Sequence, residues 1–309
     1  MVEVQELTKY YGTKLALNEI SFTVNKGEVL GFLGPNGAGK STAMKIITGY
    51  LSPTEGTVKI DGLDVVDDSL EVRKRIGYLP EHPPIYLDMS VKNYLEFTAK
   101  IKGVGKKKVK DSVDTVVEKT GLKKYYKAQC NSLSKGYRQR VGIAQALIHN
   151  PMVLILDEPT IGLDPIQIVE IRELIKSFGG DHTVILSTHI LPEADMTCGR
   201  IIIINDGKIV AQDTTVELRE RLPSTDHLIL HVKGDTSHFL SKLKTIKGIS
   251  NVIEEKDIHD ATTYTILSES PFDVRPDIAR TVVGDNLELL ELKNKSMTLE
   301  EIFIKVTMN

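Results

Sequence analysis

The sequence predicts an α/β protein of two domains, and three observations carry that expectation. Aliphatic runs VLIL (153–156), TVILST (183–188) and RIIIIN (200–205) have the composition of buried strands, and a helical pattern around LPEADMTCGR separates the second from the third. The stretch EVLGFLG (28–34) reads as a further buried strand that runs into a glycine-rich loop and then a helix, KSTAMKIITGY. After Leu222-Pro223-Ser224 the pattern changes to strand 227–233, helix 237–246, strands 251–256 and 262–267, helix 272–283, strand 286–292 and a last helix 298–306. That βαββαβ order predicts a small α+β domain of ferredoxin-like type. The boundaries expected are 1–222 and 226–309.

Within the first domain, residues 1 to about 30 alternate apolar and polar as strands do, with Asn25-Lys26-Gly27 as a turn. A Lys-rich, mostly helical stretch covers about 90–150. NDGK (205–208) has the composition of a hairpin turn joining IIIIN to IVAQD.

Bulk composition narrows the function. A chain of 309 residues, 41% hydrophobic and 26% charged, is that of a soluble globular protein with ample core material. The net charge of −3 gives no global attraction to nucleic acid, so no nucleic-acid partner is expected. Two cysteines, Cys130 and Cys198, fit a reducing compartment rather than a disulfide framework. The opening MVEVQELTKYYGTK lacks the apolar core of a signal peptide, and the aliphatic runs fall far short of the roughly 20 residues that span a bilayer. A role at a membrane would therefore need a second polypeptide to cross it.

GPNGAGKST (34–42) carries the phosphate-binding chemistry. Gly34, Gly37 and Gly39, among Pro35, Asn36 and Ala38, let backbone N–H groups turn inward around phosphate oxygens, and the helix that follows adds its positive end. Lys40 can reach the terminal phosphates, the Ser41 hydroxyl can ligate Mg²⁺, and Thr42 completes the loop. A triphosphate site also needs a metal-side carboxylate and a group that orients water. MVLILDEP (152–159) delivers Asp157 for Mg²⁺ and Glu158 for the attacking water at the polar end of a strand. His189, after TVILST, is placed to hydrogen-bond the terminal phosphate. Asp164, in IGLDP, lies on a loop suited to contacts across an interface. No NKxD-type guanine-reading motif is present, and Tyr11 is a candidate platform for stacking adenine.

GPNGAGKST, LSKGYRQR, VLILDEP, GLDP and STH occur in the order and approximate spacing found in ABC-transporter ATP-binding subunits, which residues 1 to about 220 resemble. Tyr11 falls where that family carries its adenine-stacking aromatic. The ending LEEIFIKVT looks like that of the exporter-type subfamily, whose members serve gliding motility and drug or sodium export. The resemblance implies an antiparallel β subdomain and a helical subdomain at about 82–150. It further implies a transport-coupled ATPase working as a homodimer, or with a homologous subunit, on the cytoplasmic face of the membrane beneath a separate transmembrane permease. In that arrangement Ser134, Lys135 and Gly136 of one subunit would meet the terminal phosphate held by the other, with Asp164 at the same seam. Capping by Ser134 and the cations Lys135, Arg138 and Arg140 make this helix end attractive to an anion.

Two positions depart from the family pattern. Lys135 stands where glycine is commonest, and Glu81 where a glutamine usually touches Mg²⁺ and relays nucleotide state to the membrane partner. A carboxylate is also a hard oxygen ligand, so metal contact by Glu81 is retained as an expectation. The basic run AKIKGVGKKKVKD (99–111) reads as a solvated charged face, with proximity to an anionic leaflet as the alternative. A rival function, a mechanical or regulatory ATPase on ribosome or DNA, would be expected to bring two ATPase halves or a long coiled-coil insertion. Neither is visible.

Overall fold

The computed structural model describes residues 1–221, 227–256, 261–268, 273–295 and 302–303. Strands β1 (Val2–Tyr11) and β2 (Lys14–Val24) form an antiparallel hairpin closed by Gly12-Thr13, with Tyr11 paired to Lys14. The buried run β3 (Val29–Leu33) leads through the glycine-rich loop into α1 (Lys40–Ile47). Then come β4 (Glu55–Ile60), β5 (Leu63–Asp64), α2 (Ser69–Arg75) and β6 (Ile76–Leu79). Three helices follow: α3 (Val91–Ile101), α4 (Val109–Lys119) and α5 (Lys135–Leu147). In α3 the buried residues Val91, Tyr94, Leu95, Thr98 and Ala99 keep helical spacing, and Ser90 caps it by accepting from the Asn93 N–H.

The chain continues through β7 (Val153–Asp157), α6 (Pro165–Lys176), β8 (Thr183–Thr188), α7 (Leu191–Thr197), β9 (Arg200–Asn205) and β10 (Lys208–Thr214). A six-stranded sheet has the order β10-β9-β3-β8-β7-β6; β9, β3, β8, β7 and β6 run parallel and β10 is the antiparallel edge. The aliphatic strands β8 and β9 are therefore not neighbours, because the strand feeding the glycine-rich loop lies between them. Every residue of β7 is buried, as a strand covered on both faces requires. A second, antiparallel sheet has the order β2-β1-β4-β5, and Phe22 from it meets Phe32 of β3 at 5.6 Å between ring centroids. One core thus joins the two sheets, with Val4, Leu7 and Ile20 on one side and Ile155, Ile185 and Ile202 on the other. Burying each such side chain contributes about 1.5–3 kcal/mol.

The chain divides into compact units between Thr215 and Val216, at the start of α8 (Thr215–Arg221). The second unit runs β11 (His227–Lys233), α9 (Phe239–Leu243), β12 (Ile249–Lys256), β13 (Ala261–Ser268), α10 (Arg275–Gly284) and β14 (Glu288–Lys295). Its sheet is antiparallel throughout, in the order β12-β13-β11-β14, which is the ferredoxin-like arrangement. Leu228, Leu230, Val232, Phe239, Tyr264, Ile278 and Val282 form its own core. The helix expected at 298–306 lies outside the described residues except for Ile302 and Phe303, which are helical.

In the basic run, Lys100, Lys106, Lys107, Lys108 and Lys110 are exposed, as a solvated face requires. Lys102 is the exception: it is half-buried, and burial and then the Arg73 guanidinium push its ammonium below the usual lysine range.

Candidate functional site

Where β3 ends, the chain must turn back within a few residues to start α1. Gly39, the N-cap residue, has φ +109, and a Cβ there would stand 2.7 Å from the Ala16 carbonyl oxygen; only glycine suits both conditions. This turn opens a cleft of about 760 Å³ lined by Asn36, Gly37, Gly39, Lys40, Ser41 and Thr42 from the loop and by Lys14 and Ala16 from β2. Tyr11, Glu81, Glu158, Ile161 and His189 complete the lining. Tyr11, at the end of β1, is 48% exposed, with Lys9 Nζ 5.8 Å from its ring centroid. Gly34 and Pro35 take part through their carbonyls, which accept from Lys40 Nζ at 2.8 and 3.3 Å. Ala38 is buried in the core beneath the loop.

Parallel pairing of β7 with β8 sets Asp157 beside Ser187. Ser187 Oγ donates to Asp157 Oδ1 at 2.5 Å and accepts the Glu158 N–H at 3.1 Å. On the other side, Ser41 Oγ donates to the same Oδ1 at 3.4 Å. Ser41 and Asp157 therefore present oxygen atoms side by side, and the Glu81 carboxylate faces the same cleft. That oxygen-only donor set fits Mg²⁺, which takes one or two protein oxygens and fills its remaining positions with phosphate and water. Among the described residues no group of three or more His, Cys, Asp or Glu side chains forms a closed metal cage.

Glu158 has φ 50, a left-handed conformation that costs an ordinary residue about 1–2 kcal/mol. Its N–H is shared between the Ser187 hydroxyl and carbonyl oxygens, each at 3.1 Å, which fixes the turn. The carboxylate is thereby aimed into the cleft between two cations or donors. Lys40 Nζ lies 3.5 Å from Oε1, and His189 Nδ1 lies 2.8 Å from Oε2. Because the carboxylate can only accept, the proton of that last contact sits on Nδ1.

Ser134, Lys135, Gly136 and Asp164 do not line this cleft. Ser134 caps α5 by accepting from the Tyr137 N–H at 3.4 Å, and Asp164 caps α6 by accepting from the Gln167 N–H at 2.9 Å, so both have structural work within one chain. One expectation needs correction. Arg140 is not free to meet an anion: it donates to the Thr120 carbonyl and to Glu170 Oε2 at 3.0 and 2.7 Å. Within the chain, Gly136 lets the start of α5 pack closely on α6, where a Cβ would meet Gln167 Oε1 at 2.5 Å. Lys135 Nζ similarly fills the space that a Cβ on Gly162 would occupy, and so ties the start of α5 to the GLDP loop.

Several residues that shape the site escaped the sequence reading. Ser187 stood inside the STH motif and could have been found there. The Thr160–Glu193–Thr188 cluster behind Glu158 gave no sequence signal, because its members come together only through the fold.

The family model described as ABC transporter matches residues 17–161. The chain is 32% identical to the uncharacterized ABC transporter ATP-binding protein YxlF of Bacillus subtilis (strain 168), over 99% of each chain. It is also 32% identical to the bacitracin transport ATP-binding protein BcrA of Bacillus licheniformis, over 99% of this chain and 97% of that one. Among solved structures, the dimeric post-hydrolysis ATP-binding cassette MJ0796 bound to ADP and Pi superposes with a TM-score of 0.63 and 29% identity, over 69% of this chain and 98% of that one. The chain belongs to the family of ABC transporter ATP-binding proteins. It is an ATP-hydrolysing subunit that serves transport, and subunits of this family act as dimers with separate membrane-spanning partners. The rival role on ribosome or DNA finds no support in these relatives. No helix among the described residues is long and apolar enough to cross a membrane.

Proposed function

We propose that two copies of this chain, or one copy and a homologous subunit, associate head to tail and enclose two ATP molecules. Each nucleotide lies between residues 34–42 of one copy and Ser134, Lys135, Gly136 and Asp164 of the other. The observation that carries this reading is the single cleft shared by Tyr11, the glycine-rich loop, Glu81, Glu158 and His189, with the LSKG segment lying off it.

In this reading Tyr11 stacks on adenine and the loop N–H groups and α1 hold the phosphates. Lys40, now shared between two loop carbonyls and Glu158, transfers its charge to the terminal phosphates. Mg²⁺, held by Ser41, Asp157 and Glu81, would neutralise phosphate charge. Glu158 accepts a proton from the water that attacks the terminal phosphorus, and His189 contacts the γ-phosphate from its Nε2 side. The negative γ-phosphate draws the second copy's α5 N-terminus and Lys135 closed; its loss loosens them. The dimer sits peripherally on the cytoplasmic face beneath its permease, and the ferredoxin-like unit strengthens it. The bacitracin transport relative and the exporter-like ending favour outward transport.

The two arms of one experiment test the roles. Glu158→Gln should bind ATP normally yet hydrolyse it about 10²–10⁴-fold more slowly. Lys40→Ala should weaken ATP binding itself, read by equilibrium titration. Near-normal turnover in the first variant, or unchanged affinity in the second, would overturn the corresponding assignment.

A further inference from the structure

Glu193, on α7, is only 2% exposed, yet just one of its carboxyl oxygens is satisfied. Oε2 accepts from Thr160 Oγ1 at 2.9 Å and from Thr188 Oγ1 at 2.8 Å. Oε1 is buried with no hydrogen-bond partner among the described residues. Thr188 Oγ1 also accepts the Ile190 N–H at 3.0 Å, so its single hydroxyl proton is committed to Glu193. A side chain used only for filling space would do better without a carboxyl, because an unpartnered polar atom in the interior is costly.

The two threonines lie on different loops. Thr160 follows Glu158 by two residues, in a turn where the Ile161 N–H donates to the Glu158 carbonyl at 3.2 Å and the Leu163 N–H to the Thr160 carbonyl at 3.1 Å. Thr188 ends β8 and directly precedes His189. Strand pairing between β7 and β8 stops at Asp157 and Ser187, so the ladder does not fix the catalytic side chains that follow. The bond between the Glu158 N–H and Ser187 fixes one side, and Glu193 supplies the tie beyond it.

We infer that Glu193 is a positioning residue for ATP hydrolysis: by accepting both threonine hydroxyls on one oxygen, it clamps the Glu158 loop to the His189 loop. The clamp holds Glu158 Oε2 at 2.8 Å from His189 Nδ1. The inference rests on Glu158 being the base. Burial, followed by the charge of Glu158, pushes the Glu193 carboxyl above the usual carboxylate range, while the two threonine hydroxyls and His189 pull the other way. The Cys198 thiol, itself raised by burial, also faces this group.

The test is a double-mutant cycle on the full-length chain, measuring ATPase kinetics, ATP affinity and melting temperature. Glu193→Leu, which removes both acceptors, should lower kcat roughly 10- to 100-fold, as expected for a slightly misplaced base. Its KM and ATP affinity should stay within about twofold, because ground-state binding is untouched. Glu193→Gln keeps one carbonyl acceptor for both hydroxyls and should restore kcat to within about threefold of the parent. In a Glu158→Gln background, Glu193→Leu should cause no further loss. A second route leaves Glu193 in place: Thr160→Val with Thr188→Val should reproduce the slow kcat even if the leucine variant fails to fold. The inference is overturned by equal losses in both backgrounds, by no rescue with glutamine, or by full-speed turnover in the double valine variant. Should Glu158→Gln itself turn over normally, the base assignment fails instead; a slow Glu158→Gln beside a fast Glu193→Leu sinks the clamp alone.

Discussion

Glu81 is the residue at which this chain's own chemistry is most open to measurement. It is half-buried and lines the cleft, at the position where the resemblance to the family implies a neutral glutamine. An oxygen ligand for Mg²⁺ survives exchange to glutamine, while one negative charge beside the γ-phosphate is removed. Glu81→Gln should therefore keep most of the ATPase activity, with kcat within about threefold of the parent. Steady-state rates across a Mg²⁺ titration check this, and a complete loss would show that the carboxylate does something an amide cannot. At this scale much of the site was legible. A glycine-rich loop, an acidic pair after an aliphatic run and a histidine after a strand each imply chemistry by residue type and context. What was not legible is which charges are already engaged. Arg140 reads as free in LSKGYRQR, yet Glu170 and the Thr120 carbonyl occupy it, and only tertiary structure brings those partners within reach.

At the scale of elements, the seam between α5 and β6 makes two predictions. Gly77 lies where a Cβ would stand 2.2 Å from the Ala146 carbonyl oxygen, a backbone atom that cannot swing aside. Gly77→Ala should destabilise the protein by about 1–3 kcal/mol, seen as a lowered denaturation midpoint. At the same seam His149 Nε2 donates to the Ile76 carbonyl at 3.1 Å, while Nδ1 is buried with no hydrogen-bond partner among the described residues. Burial, then the nearby Lys102 charge, lowers its pKa from 6.5 to about 4. Between those values the unfolded chain binds a proton that the folded chain refuses. Stability contributed by the neutral ring is thus present above pH 6.5, is lost as pH falls towards 4, and does not change further below that. A fall from 6.5 to about 4 corresponds to about 3 kcal/mol, so between those two pH values this group should lower the melting temperature by about 6–12 °C. His149→Gln, which can still donate to Ile76, should lose less over the same range. This seam also shows why β6 was not read from the sequence: four residues with a central glycine and a following proline carry no measurable period. The continuous runs of β7, β8 and β9 were readable because both faces of each strand are covered, so nothing polar interrupts them.

For the whole molecule, the decisive feature is that the cleft and the LSKG segment are separate surfaces of one chain. The α5 N-terminus of one copy does not line its own cleft, and in the proposed dimer the second copy supplies it to the γ-phosphate. This makes nucleotide binding and association thermodynamically linked: ATP that contacts both copies favours the dimer by the free energy of those added contacts. Hydrolysis would normally dissipate that state, and Glu158→Gln should preserve it. In light scattering, this variant should be monomeric without nucleotide and dimeric with ATP. Gly136→Asp added to it tests the trans contact, because it places a negative charge at the helix start that is to face phosphate. It also forces aside Gln167, which lies 2.5 Å from where the new Cβ would be. The doubly substituted chain should bind ATP with unchanged affinity, since its own cleft is intact, but should stay monomeric at concentrations where Glu158→Gln alone has dimerised. An ATP-dependent dimer that survives Gly136→Asp would mean that the two copies meet through some other surface.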